Sequence, residues 1–216
     1  MADAVVDLWV RDTAVGSPSR DDTDVLDEHE RERLSRLVDV PSARAYAVLH
    51  VLARQQVGAL LGRPPESLGF DRTCPDCGRQ HGRPVLVDEP GVQVSLSRSG
   101  SVVALGLSRS GPLGVDVEHV SGAAFPGFGQ VALHPSERDG AVDGATAWVR
   151  KEACLKALGV GLRVEPASFV TPRAGEPTQV VPGMPSVTVV DVDAPPGCAA
   201  AVALGSEVGR FEVHHH

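Results

Sequence analysis

The chain contains only two lysines, Lys151 and Lys156, and both fall in the segment 148–156, Trp-Val-Arg-Lys-Glu-Ala-Cys-Leu-Lys. Every other cation of the twenty is arginine. A lysine ammonium is a compact point charge and a proton donor whose pKa can move, whereas a guanidinium stays protonated, so a paired use of lysine suggests chemistry on an anion. The alternative is a charged helix face, in which Glu152 and Lys156 form an i, i+4 surface pair worth ~0.2–0.5 kcal/mol. A second constellation is Gly114-Val-Asp-Val-Glu118. On a strand, Asp116 and Glu118 share one face while Val115 and Val117 take the other. Two neighbouring carboxylates repel unless a cation holds them ionised, and Mg²⁺ prefers such oxygen ligands, completed by substrate phosphate and water. A solvated edge strand is again the alternative, and a helical Glu152 reaching the same ion would decide between them.

These side chains need a strand and a helix to carry them. Apolar spacing at Ala45, Val48, Leu49, Leu52 and Leu60 predicts a helix over 42–61, capped by Ser42 and stopped by Gly62, with Arg44 and Arg54 projecting from it. A shorter helix is expected over 28–37 and a clear one over 145–158, ended by Gly159. Residues 63–84, rich in Gly, Pro and polar side chains, read as loop. Two strand-turn-strand patterns follow, 92–107 and 187–204, hinting at related halves joined near 108–114. Strands and amphipathic helices without regular βαβ alternation give an α+β fold.

Length and composition bound the function. The chain has 216 residues, 42% apolar and 22% charged, enough for one large domain or two small fused ones. A net charge of −8 and 4% aromatic residues argue against a nucleic-acid or anionic-membrane partner. No apolar run approaches the ~20 residues that cross a bilayer, and the Asp-rich first thirty residues do not resemble an export signal, so a cytoplasmic location is expected. Four cysteines do not make a disulfide framework. Cys74-Pro-Asp-Cys77-Gly-Arg-Gln-His81 offers three zinc ligands without a visible fourth, and reads as a reduced loop, with bound zinc as the alternative. His214, His215 and His216 look like a purification-tag remnant.

The two constellations, in this order and some thirty residues apart, closely resemble the paired signature of the 4′-phosphopantetheinyl transferases, by length of the Sfp type. The resemblance implies a monomer of two pseudo-symmetric α+β subdomains, taken here as 1–108 and 109–213, with coenzyme A and Mg²⁺ in the cleft between them. It implies Asp116 and Glu118 as Mg²⁺ ligands, and Glu152 as third ligand or general base. Lys156 would meet the pyrophosphate of coenzyme A and assist the leaving group, and Lys151 would hold a phosphate. Gly82-Arg83-Pro84 would lie near the adenine, with Arg44 and Ser97 on the 3′-phosphate. Arg98 stands where the family usually has histidine, and its fork would grip that phosphate with less dependence on pH. Glu137, in His134-Pro-Ser-Glu137, would be an outer contact of the metal.

The implied reaction moves the phosphopantetheine arm onto a serine of an acyl or peptidyl carrier protein, releasing adenosine 3′,5′-bisphosphate. Carriers of polyketide, non-ribosomal peptide and fatty-acid synthesis all qualify, and the acidic stretch 21–32 would narrow the choice by repulsion. A Mg²⁺-dependent phosphohydrolase built on the same carboxylates, or a coenzyme A-binding scaffold without turnover, would show the same pattern.

Overall fold

The computed structural model describes residues 4–14, 20–140, 142–205 and 210–216. Strand β1 (Ala4–Asp12) is followed by a short helix α1 (Arg20–Thr23), α2 (Glu28–Ser35) and the long α3 (Val40–Leu61). Strands β2 (Phe70–Thr73), β3 (Gln80–Leu86), β4 (Gln93–Ser99), β5 (Val102–Ser108) and β6 (Leu113–His119) come next. Helices α4 (Phe128–Ala132) and α5 (Gly144–Ala157), then β7 (Val187–Asp191), β8 (Cys198–Gly205) and β9 (Phe211–His215), complete the order. A six-stranded sheet runs β2-β3-β4-β5-β1-β9 and a three-stranded sheet β6-β8-β7. The fold is α+β.

Period-two alternation sorts the apolar strands into layers. In β5, Val103, Leu105 and Leu107 face the apolar stripe of α3, formed by Ala45, Leu49, Leu52 and Val57. Val102 and Ala104 face the other way, onto Val115 and Val117 of β6 and Val202 and Leu204 of β8. From β8, Ala201 and Ala203 pack beneath Val149, Ala153 and Ala157 of α5. The order is therefore helix, sheet, sheet, helix, and strands buried on both faces need the near-continuous apolar runs found at 102–107 and 199–204.

Helix α3 begins two residues earlier than Ser42 predicts. Asp39 caps it by accepting from the Ser42 N–H at 2.8 Å, and Pro41 sits in the first turn, where its missing N–H costs nothing. Gly62 ends it in the left-handed region, φ 63°. Asp143 caps α5 likewise, accepting from the Thr146 N–H at 2.9 Å. The expected loop 63–84 contains strands β2 and β3; a β-carbon on Gly82 would stand 2.9 Å from the Thr73 carbonyl oxygen, so the glycine is what lets them approach.

Three serines join the two sheets. Strand β6 is the edge of its sheet, and its outward N–H groups would be buried without acceptors. The β4 hydroxyls supply them: Ser95 Oγ accepts from Val115 N at 2.8 Å, Ser97 Oγ from Val117 N at 3.2 Å, and Ser99 Oγ from His119 N at 3.1 Å. Two glycines let the layers close. A β-carbon on Gly106 would lie 2.4 Å from Val115 Cγ2, and one on Gly114 would lie 1.9 Å from the Ala153 carbonyl oxygen. The boundary at 108 falls between β5 and β6, but β9 returns to pair in parallel with β1, and the His216 N–H donates to the Leu8 carbonyl at 3.0 Å. The terminal histidines thus extend the larger sheet.

Candidate functional site

The close seat of α5 on β6 at Gly114 brings Glu152 and Lys156 over Asp116. Asp116 is buried, and its Oδ1 accepts from the Lys156 ammonium at 2.7 Å and from the Ser97 hydroxyl at 2.7 Å. Lys156 also donates to Ser97 Oγ at 3.1 Å and to the Val115 carbonyl at 3.0 Å. Glu118, two residues along β6, accepts from the Ser99 hydroxyl and, at 2.8 Å, from the His119 N–H. Glu152 is different: its Oε1 is buried without a hydrogen-bond partner. Burial first, then the nearby Asp116 charge, pushes its pKa above the usual carboxylate range, against the pull of Lys156.

The three carboxylates thus belong to one neighbourhood but do not converge as the sequence led us to expect. Among the described residues, one set of three ligating side chains has its ligand atoms all within 4.8 Å of one another, and it is Cys74, Cys77 and His81. Glu118 is drawn towards Ser99, while Lys156 supplies the countercharge on Asp116. The unpartnered Glu152 oxygen beside Asp116 suits a cation better than any neutral occupant, because an orphaned buried acceptor is costly. Asp116 and Glu152 therefore fit a divalent ion, with Glu118 on the same strand face.

Lys151 does not take the phosphate role. It is fully buried, and its ammonium donates to Glu137 Oε2 at 2.9 Å, the Ala132 carbonyl at 2.9 Å and the Pro166 carbonyl at 3.0 Å, which uses its three protons. Glu137 completes this buried pair, accepting also from the His134 and Thr171 N–H groups at 3.0 and 2.6 Å. Both residues thus tie α5 to the segments below it, and Glu137 is committed to Lys151 rather than to the carboxylate site.

A cleft of about 1030 Å³ opens beside Lys156. Gly82, Arg83 and Pro84 line it, as does the turn 159–163 that follows α5. Arg83 is held by Gln93, its Nε is buried without a partner, and burial lowers its pKa. Arg33, Arg36, Arg79 and Arg163 also face this space. They escaped sequence reasoning because they come from separate segments of an acidic chain, and only the fold collects them. Arg44 and Arg98 do not line it. Arg44 donates to the Ala14 carbonyl at 3.2 Å and borders a separate cavity of about 280 Å³. Arg98 donates to the Ser42 carbonyl at 3.1 Å, because alternation along β4 sends Ser97 and Ser99 to β6 and Arg98 to the opposite face. Ser97 is itself engaged by Asp116, Lys156 and β6.

Comparison with curated proteins gives no match. Among the described residues no helix is long and apolar enough to cross a membrane. Residues 112–189 match the family model of the 4′-phosphopantetheinyl transferase superfamily, and that span holds the start of β7 together with β6 and α5, the elements that carry Asp116, Glu118, Glu152 and Lys156.

Proposed function

We propose that the chain transfers the 4′-phosphopantetheine arm of coenzyme A to a serine of an acyl or peptidyl carrier protein. The observation that carries this reading is the position of Lys156, which is bonded to Asp116 and at the same time lines the arginine-rich cleft. An anionic donor held by the cleft arginines meets, at its inner end, both an ammonium and an acidic cluster. Arg83, half-buried with an unspent donor, is suited to a phosphate, since a charge-assisted bond is stronger where water is excluded.

Asp116 and Glu152, with Glu118, would hold Mg²⁺, and the ion when bound would neutralise charge on the phosphate oxygens. Lys156 stabilises the charge that develops as the bridging oxygen of the pyrophosphate departs. Glu152 accepts the proton of the carrier serine directly or through a water. The serine oxygen forms a bond to the β-phosphorus, the bridging P–O bond breaks, and adenosine 3′,5′-bisphosphate leaves. The cleft is walled by β3 and α2 on one side and by residues 156–163 on the other, so a single chain supplies both sides. That supports a monomer of the Sfp type; the same reading has it act in the cytoplasm on carriers of fatty-acid, polyketide or non-ribosomal peptide synthesis.

The test is the mass of an apo carrier protein incubated with coenzyme A, Mg²⁺ and the chain. A gain of one phosphopantetheine is expected, and Glu152→Gln should abolish it. Release of free phosphate, or binding of coenzyme A with no change in the carrier, would overturn the reading.

A further inference from the structure

The hairpin that carries Gly82-Arg83-Pro84 into the cleft is weakly paired. Strand β3 meets β4 through one residue pair, Val85 with Gln93, and its register with β2 shifts between Asp71 and Thr73. At its tip the chain makes a tight knuckle: the Gly78 N–H donates to the Cys74 carbonyl at 2.8 Å, and the Cys74 N–H to the Arg79 carbonyl at 2.8 Å. Gly78 has φ +69°, which a side chain would strain. The turn gathers Cys74, Cys77 and His81 so that one ligand atom of each lies within 4.8 Å of the others, with Cys77 Sγ 2.9 Å from His81 Nε2. Both cysteines are free thiols.

We propose that Cys74, Cys77 and His81 bind one zinc ion. Zn²⁺ takes thiolate at about 2.3 Å and imidazole at about 2.0–2.1 Å, so ligands already within 4.8 Å of one another need only small side-chain rotations to surround it. The missing fourth ligand, which argued against zinc in the sequence, is consistent with this placement. Cys74 and His81 line the cleft, so the fourth position opens towards it and is taken by water or by a group entering the cleft. Two thiolates and a neutral imidazole leave the complex without net charge, compatible with the surrounding arginines. The ion would lock the hairpin tip where pairing is sparse. Asp76, between the two cysteines, pairs with Arg163 of the opposite wall at 3.4 Å, so the fixed knuckle also sets the width of the cleft.

The measurement uses the full-length chain purified without added metal and loaded with zinc alone. Because the terminal histidines also bind metal, the readout is the difference in zinc content between wild type and Cys77→Ser, an exposed position; one equivalent per chain is expected. Cobalt substituted for zinc should give a thiolate-to-metal charge-transfer band in the near ultraviolet, absent in Cys77→Ser and retained in His81→Cys. Equal zinc in wild type and Cys77→Ser, or a cobalt spectrum of wild type without a thiolate band, overturns the proposal. The wild-type cobalt spectrum decides even if a variant misfolds, and neither readout depends on transferase activity.

Discussion

Two lysines five residues apart on one helix do opposite work. Five steps at ~100° each place Lys151 and Lys156 about 140° apart around α5, so one enters the protein and the other faces the cleft. Their scarcity drew attention to the helix, but composition could not separate them, since the acidic partner of Lys151, Glu137, lies on another segment. Lys151→Ala should leave Glu137 buried without its countercharge and cost about 3–5 kcal/mol. Lys156→Ala should lower the transfer rate about 10²–10³-fold, the scale of losing one stabilising donor to developing charge. Thermal melts with carrier-modification rates on both variants check the pair: the larger loss of activity belongs to Lys156, and the larger loss of stability to the fully buried Lys151. Equal behaviour would mean that the division of roles is wrong.

At the level of elements, the site depends on how close β6 lies to β4 and α5. Gly114→Ala would drive a methyl group into the Ala153 carbonyl, and backbone, unlike a flexible side chain, cannot swing aside. We expect a loss of about 1–3 kcal/mol from overpacking, with a larger proportional loss of transfer, because a ~1 Å shift of α5 misplaces Glu152 and Lys156 together and can cost ~10²-fold. Ser95→Ala removes the acceptor of the Val115 N–H and should cost about 1–3 kcal/mol in urea unfolding, as an unsatisfied buried amide does. The helices over 42–61 and 145–158 and both hairpins were legible in the sequence, because period and capping are local signals. The serine ladder was visible only as alternation; that its hydroxyls serve a strand twenty residues away follows from packing. Strand β3 was hidden by Gly82 and Pro84, whose composition signals a loop; the strand accommodates them because it meets β4 through one residue pair and leans on the short edge strand β2.

Across the whole molecule, the acidic stretch 21–32 does not act as free surface charge at its most buried members. Glu30 is 1% exposed and, with Asp27, closes a buried network: Arg54 donates to Glu30 Oε2 at 2.5 Å and to Asp27 Oδ2 at 2.5 Å, Arg72 bridges the same two carboxylates, and His50 Nδ1 lies 3.1 Å from Glu30 Oε1. Arg54, which the helical pattern alone set projecting, is fully buried here because α2 and β2 close over it. The network joins α2, α3 and β2 and backs the arginine-lined wall of the cleft. Burial pushes the Glu30 carboxyl up, but the His50 hydrogen bond and the charges of His50, Arg72 and Arg54 outweigh it and bring the pKa down to about 2. A carboxylate with a depressed folded-state pKa stabilises the protein above its unfolded value, near 4.3–4.5, and loses that contribution as pH falls towards the folded one. A shift of this size corresponds to about 3 kcal/mol, all of it present at neutral pH and withdrawn between about pH 4.5 and 2. Urea midpoints measured across that interval should fall steeply for wild type. In Glu30→Gln the protein should be less stable at neutral pH, with two arginines left short of a partner, and should lose less of its stability between pH 4.5 and 2. Parallel pH profiles for the two proteins would show that Glu30 does not carry the acid sensitivity.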